Sequence, residues 1–201
     1  VEAINQVNVT FLFAPAWHPA LISMAPLRKV LGVRTVFNLL GPLVNPLRPQ
    51  AQVLGVAKPE LLDPMAEALN SIGLKKAVIV YGAGGLDEAS LQGPNQIRFL
   101  EKGNIKTTVL NPSDFGIPYF SNQDLKGGDL NCNMNILSSL LKGHGTEPQK
   151  KVVALNNALV LWAAGVEEDL NSGFSKSLNI LDSAKAWMVF EDLKNYLENK
   201  N

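Results

Sequence analysis

A strand–helix–strand pattern limits the folds open to this chain. Gln52–Ala57 and Ala77–Tyr81 are short apolar runs of the kind that become buried parallel strands. Between them, Pro59–Ile72 has the apolar spacing of a helix, with Pro59 suited to the first turn and Gly73 to the stop. The pattern predicts one βαβ unit and an α/β fold.

The later segments predict a hairpin followed by helices. Ile97–Glu101 and Ile105–Leu110 flank Lys102-Gly103-Asn104, which is typical of a hairpin turn. The remaining helical candidates are Asp129–Leu141, Gln149–Ala164 and Ser183–Glu198. A chain of 201 residues is long enough for one sizeable core. We therefore expect a single α/β domain over residues 1–201, with an incomplete sheet if these are all its strands.

Composition argues against nucleic-acid and membrane partners. Lys and Arg together number 18, as do Asp and Glu, so no net field attracts a polyanion. The longest apolar runs, such as Ala158–Gly165, are too short to cross a bilayer, and no signal peptide is visible. Cys132 is the single cysteine and cannot form an internal disulfide, which fits a reducing compartment. These features predict a soluble, cytoplasmic protein.

His18 is one candidate for ligand binding in the apolar stretch Phe11–Pro46. Pro19 favours an extended backbone at His18 and can itself open a helix. A helix N-terminus stabilises negative charge, so a ligand carboxylate there would gain from both the backbone amides and the imidazole. The alternative is a helix-entry histidine that packs beside Trp17.

Arg28 is a second candidate, on the helix that would run from Pro19 toward Leu31. At about 100° per residue, Arg28 falls on the apolar side of that helix, between Met24 and Ala25. A guanidinium on an apolar face needs an anionic partner, because burying its charge unpaired is costly. That partner is either a substrate carboxylate or a structural Asp or Glu, and the residues alone leave both open.

Asp87 and Glu88 form an adjacent acidic pair after the predicted strand Ala77–Tyr81 and the glycine-rich residues 82–85. Loops at the carboxyl ends of such strands are where α/β proteins bind ligands. Adjacent carboxylates there suit a Mg²⁺ ion that keeps several waters and also binds substrate phosphates. The alternative is an Asp helix cap followed by a first-turn Glu.

Three motifs together resemble the anthranilate phosphoribosyltransferase family of tryptophan biosynthesis: FLFAPAWHPA from Phe11, RTVFNLLGPLVNP from Arg34, and GLDEAS from Gly85. The resemblance extends from about Phe11 to the C-terminal helix. It implies a nucleoside phosphorylase/phosphoribosyltransferase-like α/β domain, incomplete and lacking the N-terminal helical lobe. It also implies transfer of phosphoribose from phosphoribosyl pyrophosphate (PRPP) to the anthranilate amine, with release of pyrophosphate. In that family the reaction is viewed as dissociative, so positioning and charge stabilisation outweigh proton abstraction.

The resemblance also implies roles for individual residues. Five would border the anthranilate channel, with Arg28 facing the carboxylate: Ala14, Pro15, His18, Arg28 and Pro42. Asp87 and Glu88 would bind Mg²⁺, and no residue is implied as a proton-transfer catalyst. The family is homodimeric through its helical lobe, which leaves a monomeric state open for this chain.

Several family features do not occur in these 201 residues. The family carries, upstream of this region, the helical lobe, a GTGGD phosphate loop, an Asn-x-Ser-Thr segment and a Lys-His-Gly-Asn segment. Tyr81 and Gly84 stand where the family often has a histidine and an acidic residue. We therefore expect this chain alone to be inactive. Two alternatives are a pyrimidine nucleoside phosphorylase-like enzyme, against which the anthranilate-type motifs argue, and a non-catalytic fragment or binding module of the same fold.

Overall fold

A computed structural model describes residues 2–13, 37–45 and 47–199 of the chain. The chain divides into two units, the larger being Gln50–Phe190 and the smaller Val1–Pro49 with Glu191–Asn201. The expectation of one domain over residues 1–201 stays a prediction.

The larger unit contains a four-stranded sheet in the order β1–β2–β3–β4. The strands are β1 (Ala51–Gly55), β2 (Lys76–Tyr81), β3 (Asn95–Glu101) and β4 (Asn104–Leu110). β1 pairs in parallel with β2, while β2–β3 and β3–β4 are antiparallel. Lys102 and Gly103 both have positive φ, 49° and 85°, as a two-residue hairpin turn requires. The predicted βαβ unit and hairpin are confirmed.

The crossover from β1 to β2 is a 3₁₀ turn, Pro59–Leu61, followed by helix α3 (Leu62–Ser71). Leu62 and Leu69 of this helix are fully buried. Burying a leucine side chain stabilises a fold by about 1.5–3 kcal/mol. The predicted single helix over Pro59–Ile72 is thus a 3₁₀ turn and an α-helix in succession, on one face of the sheet.

After β4, the larger unit contains helices α4 (Leu130–Leu141) and α5 (Glu147–Ala163). Helix α7 (Lys185–Glu198) begins in this unit and continues past its last residue, Phe190. All three were predicted to within two residues at each end. Side chains cap two of them, since Asp129 accepts from the Cys132 N–H at 2.8 Å and Thr146 with Gln149 forms a capping box.

A fourth helix, α6 (Leu170–Asp182), was not predicted. Its sequence is rich in Asn, Ser and Gly, which have low helix propensity. Packing against α5 compensates, because Phe174 and Leu181 are buried and Gly173 lets the helix approach closely. A Cβ at Gly173 would lie 3.3 Å from the Ala158 Cα. Tertiary contact, rather than local preference, therefore determines this element.

The core of the larger unit lies between the sheet and the α5–α6 pair. It is built mainly from Val, Leu, Ile and Ala side chains, among them Val78, Val80, Ile97, Leu155 and Leu159. Two aromatic contacts extend it, Phe99 with Trp162 and Phe115 with Phe174, both edge-to-face. With α3 on the opposite face, residues 77–80 of β2 are buried on both sides of the sheet, as the apolar run Ala77–Tyr81 predicts.

The smaller unit contains α1 (Glu2–Val7), α2 (Phe37–Leu43) and the residues of α7 from Glu191 onward. The Tyr196 hydroxyl donates to the Glu2 carboxylate at 3.4 Å. Pro42 lies within the last turn of α2. Across the part of the chain that the structure describes, no helix has the length and apolar character needed to span a membrane.

Candidate functional site

The candidate site is the loop of residues 82–94, here called the carboxylate loop, which joins β2 to β3 and contains Asp87 and Glu88. Its first residues form a tight turn, in which the Gly82 N–H donates to the Leu86 carbonyl at 2.8 Å and the Gly85 N–H to the Gly82 carbonyl at 3.0 Å. The loop lies at the carboxyl ends of the parallel strands β1 and β2. Ligands of α/β proteins bind at this edge of the sheet.

Two glycines at the strand ends allow the carboxylate loop to lie directly on the sheet. A Cβ at Gly55, the last residue of β1, would overlap the carbonyl oxygen of Asp87. A Cβ at Gly82, just after β2, would overlap the carbonyl oxygen of Glu88. A side chain at position 55 or 82 would therefore collide with the main chain of the acidic pair, so this arrangement requires glycine at both positions.

Two further glycines in the turn have left-handed backbones, with φ of 80° at Gly84 and 86° at Gly85. A side chain at Gly84 would also overlap the amide nitrogen of Asn122. An acidic residue, which the family often has at this position, would thus be strained here. Tyr81, at the other departure from the family pattern, ends β2 and is half-buried.

The Asp87 and Glu88 side chains are exposed, and the chain continues as a loop until β3 begins at Asn95. The alternative in which Asp87 caps a helix is therefore wrong. Among the described residues, neither carboxylate accepts a hydrogen bond or forms an ion pair. Although the side chain is exposed, surrounding protein atoms exclude some water from the Glu88 carboxyl and raise its pKa, and the neighbouring Asp87 charge raises this pKa further. A cation beside the pair would relieve both effects.

This donor set fits Mg²⁺ shared with a ligand rather than a complete protein cage. In the described ranges, no group of three or more His, Cys, Asp or Glu residues is placed to hold a metal ion. Mg²⁺ keeps several waters and commonly binds through one or two carboxylates plus substrate phosphates. Two adjacent, exposed carboxylates without other partners match that mode of binding.

Asn95, the first residue of β3, ties the two ends of the carboxylate loop together. Its side chain is fully buried. The Oδ1 atom accepts from the backbone N–H groups of Ala83 at 3.2 Å and Ser90 at 2.7 Å. The Nδ2 atom donates to the carbonyls of Ser90, Gly93 and Leu110 at 3.0, 3.2 and 3.1 Å. One side chain thus hydrogen-bonds five backbone groups at the base of the loop.

Two more asparagines hold the loop from neighbouring elements. Asn122 donates to the Ala83 carbonyl at 3.0 Å and accepts from the Ser90 hydroxyl at 2.7 Å. Asn156, on α5, accepts from the Ala89 N–H and donates to the Ala89 carbonyl, both at 2.8 Å. None of the three asparagines was predicted. The partners of Asn122 and Asn156 lie at distant positions, and those of Asn95 are backbone groups of a loop, which leave no periodic pattern.

A shallow cavity of about 270 Å³ lies beside the acidic pair, between Glu88 and the α5 residues Val152, Asn156 and Val160. A larger cavity, of about 710 Å³, lies between β4 and the start of α6 and includes Val109 and Leu170. The larger cavity contains no residue of the carboxylate loop. The smaller cavity adjoins Glu88, whose carboxylate has no partner among the described residues.

Of the residues predicted to bind ligands, the structure brings Asp87 and Glu88 together on the carboxylate loop. Pro42 lies in α2 of the smaller unit and is half-buried. Four predicted residues lie outside the described residues, as does the helix predicted around Pro26: Ala14, Pro15, His18 and Arg28.

Comparison with known proteins identifies relatives along almost the whole chain. The anthranilate phosphoribosyltransferase of Prochlorococcus marinus (strain NATL1A) is 59% identical over 197 residues, which cover 98% of this chain and 57% of that protein. The crystal structure of anthranilate phosphoribosyltransferase from Thermus thermophilus has a TM-score of 0.91 at 40% identity, covering 98% of this chain and 58% of that one. The chain thus spans somewhat more than half the length of these relatives.

A third match is anthranilate phosphoribosyltransferase from Saccharomyces cerevisiae in complex with PRPP and Mg, with a TM-score of 0.79 and 26% identity over 88% of this chain and 51% of that one. The model of a glycosyl transferase family, a/b domain, matches residues 1–187. These matches confirm the phosphoribosyltransferase-like α/β fold predicted from the motifs. The chain belongs to this glycosyl transferase family, and its relatives from Prochlorococcus, Thermus and yeast are anthranilate phosphoribosyltransferases.

Proposed function

We propose that the protein containing this chain transfers phosphoribose from PRPP to the amine of anthranilate and releases pyrophosphate. The observation that carries the proposal is the exposed Asp87–Glu88 pair at the carboxyl ends of β1 and β2. The three relatives support it, including the yeast protein in complex with PRPP and Mg. No described feature favours the nucleoside phosphorylase alternative over this one.

The proposed transfer exchanges one bond at the ribose C1 atom for another. The C1–oxygen bond to pyrophosphate breaks with its electron pair leaving on the pyrophosphate, the anthranilate nitrogen bonds to C1, and an amine proton passes to solvent. This chain's residues contribute position and charge, as suits a dissociative reaction. Asp87 and Glu88 would hold Mg²⁺, which when bound neutralises negative charge on the phosphates.

For the second substrate, this chain would bind anthranilate through the five residues implied by the motif resemblance: Ala14, Pro15, His18, Arg28 and Pro42. Arg28 is proposed to pair with the anthranilate carboxylate, because a guanidinium and a carboxylate can form two parallel hydrogen bonds. The others would line the channel and exclude water.

Assembly and cellular location are proposed from the motif resemblance and the composition. We propose a cytoplasmic protein that forms a homodimer in its complete form and has neither nucleic-acid nor membrane partners. The balanced charge argues against a nucleic-acid partner, and the single cysteine fits the reducing cytoplasm.

The test uses a reconstituted enzyme, in which residues 1–201 replace the matching part of the Prochlorococcus marinus relative. We expect PRPP- and Mg²⁺-dependent loss of anthranilate fluorescence, and none from residues 1–201 alone. The double variant Asp87→Asn/Glu88→Gln should lose Mg²⁺-dependent turnover while keeping its circular dichroism spectrum.

A matched control is Glu191→Gln/Asp192→Asn, which removes the same charges from an adjacent, exposed pair on α7. This control should keep wild-type turnover. Equal turnover of the Asp87/Glu88 variant and the control, or turnover by residues 1–201 alone, would contradict the proposal.

A further inference from the structure

Three consecutive peptide groups of the carboxylate loop are each held by a different contact. The Asp87 carbonyl lies against Gly55 at the end of β1, and the Glu88 carbonyl lies against Gly82 after β2. The next residue, Ala89, is fully buried and is bound to Asn156 of α5. The acidic pair is thus exposed at its side chains and immobilised along its main chain.

Asn156 bonds both polar groups of a single residue, accepting from the Ala89 N–H and donating to its carbonyl at 2.8 Å each. Its Nδ2 atom also donates to the Val152 carbonyl one turn earlier, at 3.0 Å, which fixes the orientation of the amide. Because Ala89 has no exposed surface, removing the side chain would leave two buried groups without a partner. The loop would then have to move to satisfy them.

The adjacent residue, Asn157, has a different role. Its Nδ2 atom donates to the Ser177 hydroxyl at 2.8 Å, and that hydroxyl donates to the Gly173 carbonyl at 2.7 Å. Asn157 therefore links α5 to α6 and makes no hydrogen bond to the carboxylate loop. Asn156 and Asn157 have identical side chains at adjacent positions of α5. Comparing their variants therefore distinguishes a change in the position of the carboxylate loop from a general loss of stability.

From these contacts we propose that Asn156 is a positioning residue for the cation site: it sets the distance and direction of the Asp87 and Glu88 carboxylates through the Ala89 peptide. This inference rests on the proposed function, because it assigns Asn156 to the same cation site. Some residues hold a metal ligand in place without binding the metal themselves. Mutating such a residue typically changes metal affinity or activity by about 10–100-fold. Such support matters most where a cation has few protein ligands, as here.

The experiment compares three variants of the reconstituted enzyme: Asn156→Ala, Asn156→Gln and Asn157→Ala. Asn156→Gln keeps an amide but moves it outward by one methylene, so it tests position rather than polarity. Cation binding is measured with Mn²⁺ in the presence of PRPP, using electron paramagnetic resonance to count free Mn²⁺. The Mg²⁺ dependence of turnover, the KM for anthranilate and the melting temperature complete the measurement.

Both Asn156 variants should weaken Mn²⁺ binding and raise the Mg²⁺ concentration for half-maximal turnover by about tenfold or more. The KM for anthranilate should stay at its wild-type value. Asn157→Ala should lower the melting temperature without changing the affinity for Mn²⁺ or the Mg²⁺ concentration for half-maximal turnover. The inference would be overturned if the Asn156 variants had the same Mn²⁺ affinity and Mg²⁺ requirement as Asn157→Ala. Asn156→Gln decides this even if Asn156→Ala does not fold.

The same data separate this inference from the proposed function. A wild-type enzyme that binds Mn²⁺ through an Asn156-dependent site but transfers no phosphoribose would contradict the function and keep the positioning role. Normal transfer with cation constants insensitive to Asn156 would contradict the positioning role and keep the function.

Discussion

The carbonyl oxygen of Asp87 lies where a side chain on Gly55 would begin. The last residue of β1 and the first residue of the acidic pair are therefore in backbone contact, although they lie far apart in the sequence. Because β1 is paired along its length with β2, this contact fixes the position of the carboxylate loop relative to the sheet.

The first prediction follows from that contact. Gly55→Ala should displace the main chain of Asp87, destabilise the larger unit by about 1–3 kcal/mol as overpacking does, and weaken Mg²⁺ activation of the reconstituted enzyme. Urea unfolding and a Mg²⁺ titration of turnover measure the two effects.

Gly93→Ala is the matched control, since its new methyl group would meet the Ala83 Cβ at an ordinary 3.5 Å. It lies in the same loop and should leave both quantities near wild type. Gly55→Ala behaving like Gly93→Ala would mean that the strand end does not fix the loop.

The second prediction concerns the buried amide of Asn95. Asn95→Ala should lower the free energy of unfolding by about 3 kcal/mol or more, because each buried group left without a partner costs about 1–3 kcal/mol. The control, Asn133→Ala, removes an exposed side chain that bonds the Gly128 N–H and carbonyl at 2.9 and 3.0 Å. Water replaces those bonds, so its loss should be clearly smaller. Equal losses in urea unfolding would show that burial of Asn95 is unimportant.

The third prediction is a pH dependence from the ion pair of Asp63 on α3 with Arg98 on β3. A hydrogen bond from the Arg98 guanidinium, with its positive charge, lowers the pKa of Asp63. The native state thus binds the Asp63 proton less tightly than the unfolded state does. The ion pair therefore stabilises the native state fully at pH values above the ordinary carboxyl pKa. This stabilisation is lost as the pH falls through the lowered pKa of Asp63.

Asp63→Asn should therefore destabilise the protein at neutral pH, where it leaves the mostly buried Arg98 without its carboxylate. The difference from wild type should shrink as the pH falls below the ordinary carboxyl pKa. Asp182→Asn serves as the control, because its partner Lys150 is more exposed than Arg98. A difference for Asp63→Asn that stays constant from neutral to acidic pH would contradict the assignment.

The fourth prediction concerns Arg28. In the reconstituted enzyme, Arg28→Ala should raise the KM for anthranilate more than the KM for PRPP, because the guanidinium is proposed to pair with the anthranilate carboxylate. Lys29→Ala is the control. At about 100° per residue, position 29 of the predicted helix faces away from the apolar side that contains Arg28. Equal effects of Arg28→Ala on both KM values would make Arg28 a structural residue.

Local patterns were sufficient for the elements that position the site. The βαβ unit, the hairpin at Lys102-Gly103-Asn104 and the loop position of Asp87 and Glu88 all follow from apolar runs and turn residues close together in sequence. Gly55 gave a weaker signal: a glycine within a predicted strand often marks close approach of another backbone.

Features that depend on distant contacts were not predictable in this way. Helix α6 forms despite poor local propensity because Phe174 packs in the core and Gly173 fits against α5. Asn156 binds Ala89 across 67 positions of sequence, and Asn122 binds Ala83 across 39. A polar side chain that replaces backbone pairing at such separations has no periodic or local pattern to mark it.

The most direct test of the central claim, that Asp87 and Glu88 bind a cation shared with PRPP, is a calorimetric titration of PRPP into the reconstituted enzyme with and without Mg²⁺. We predict that Mg²⁺ strengthens PRPP binding to the wild-type enzyme and has little effect on Asp87→Asn/Glu88→Gln. An equal Mg²⁺ effect on the wild type and on this double variant would contradict the account.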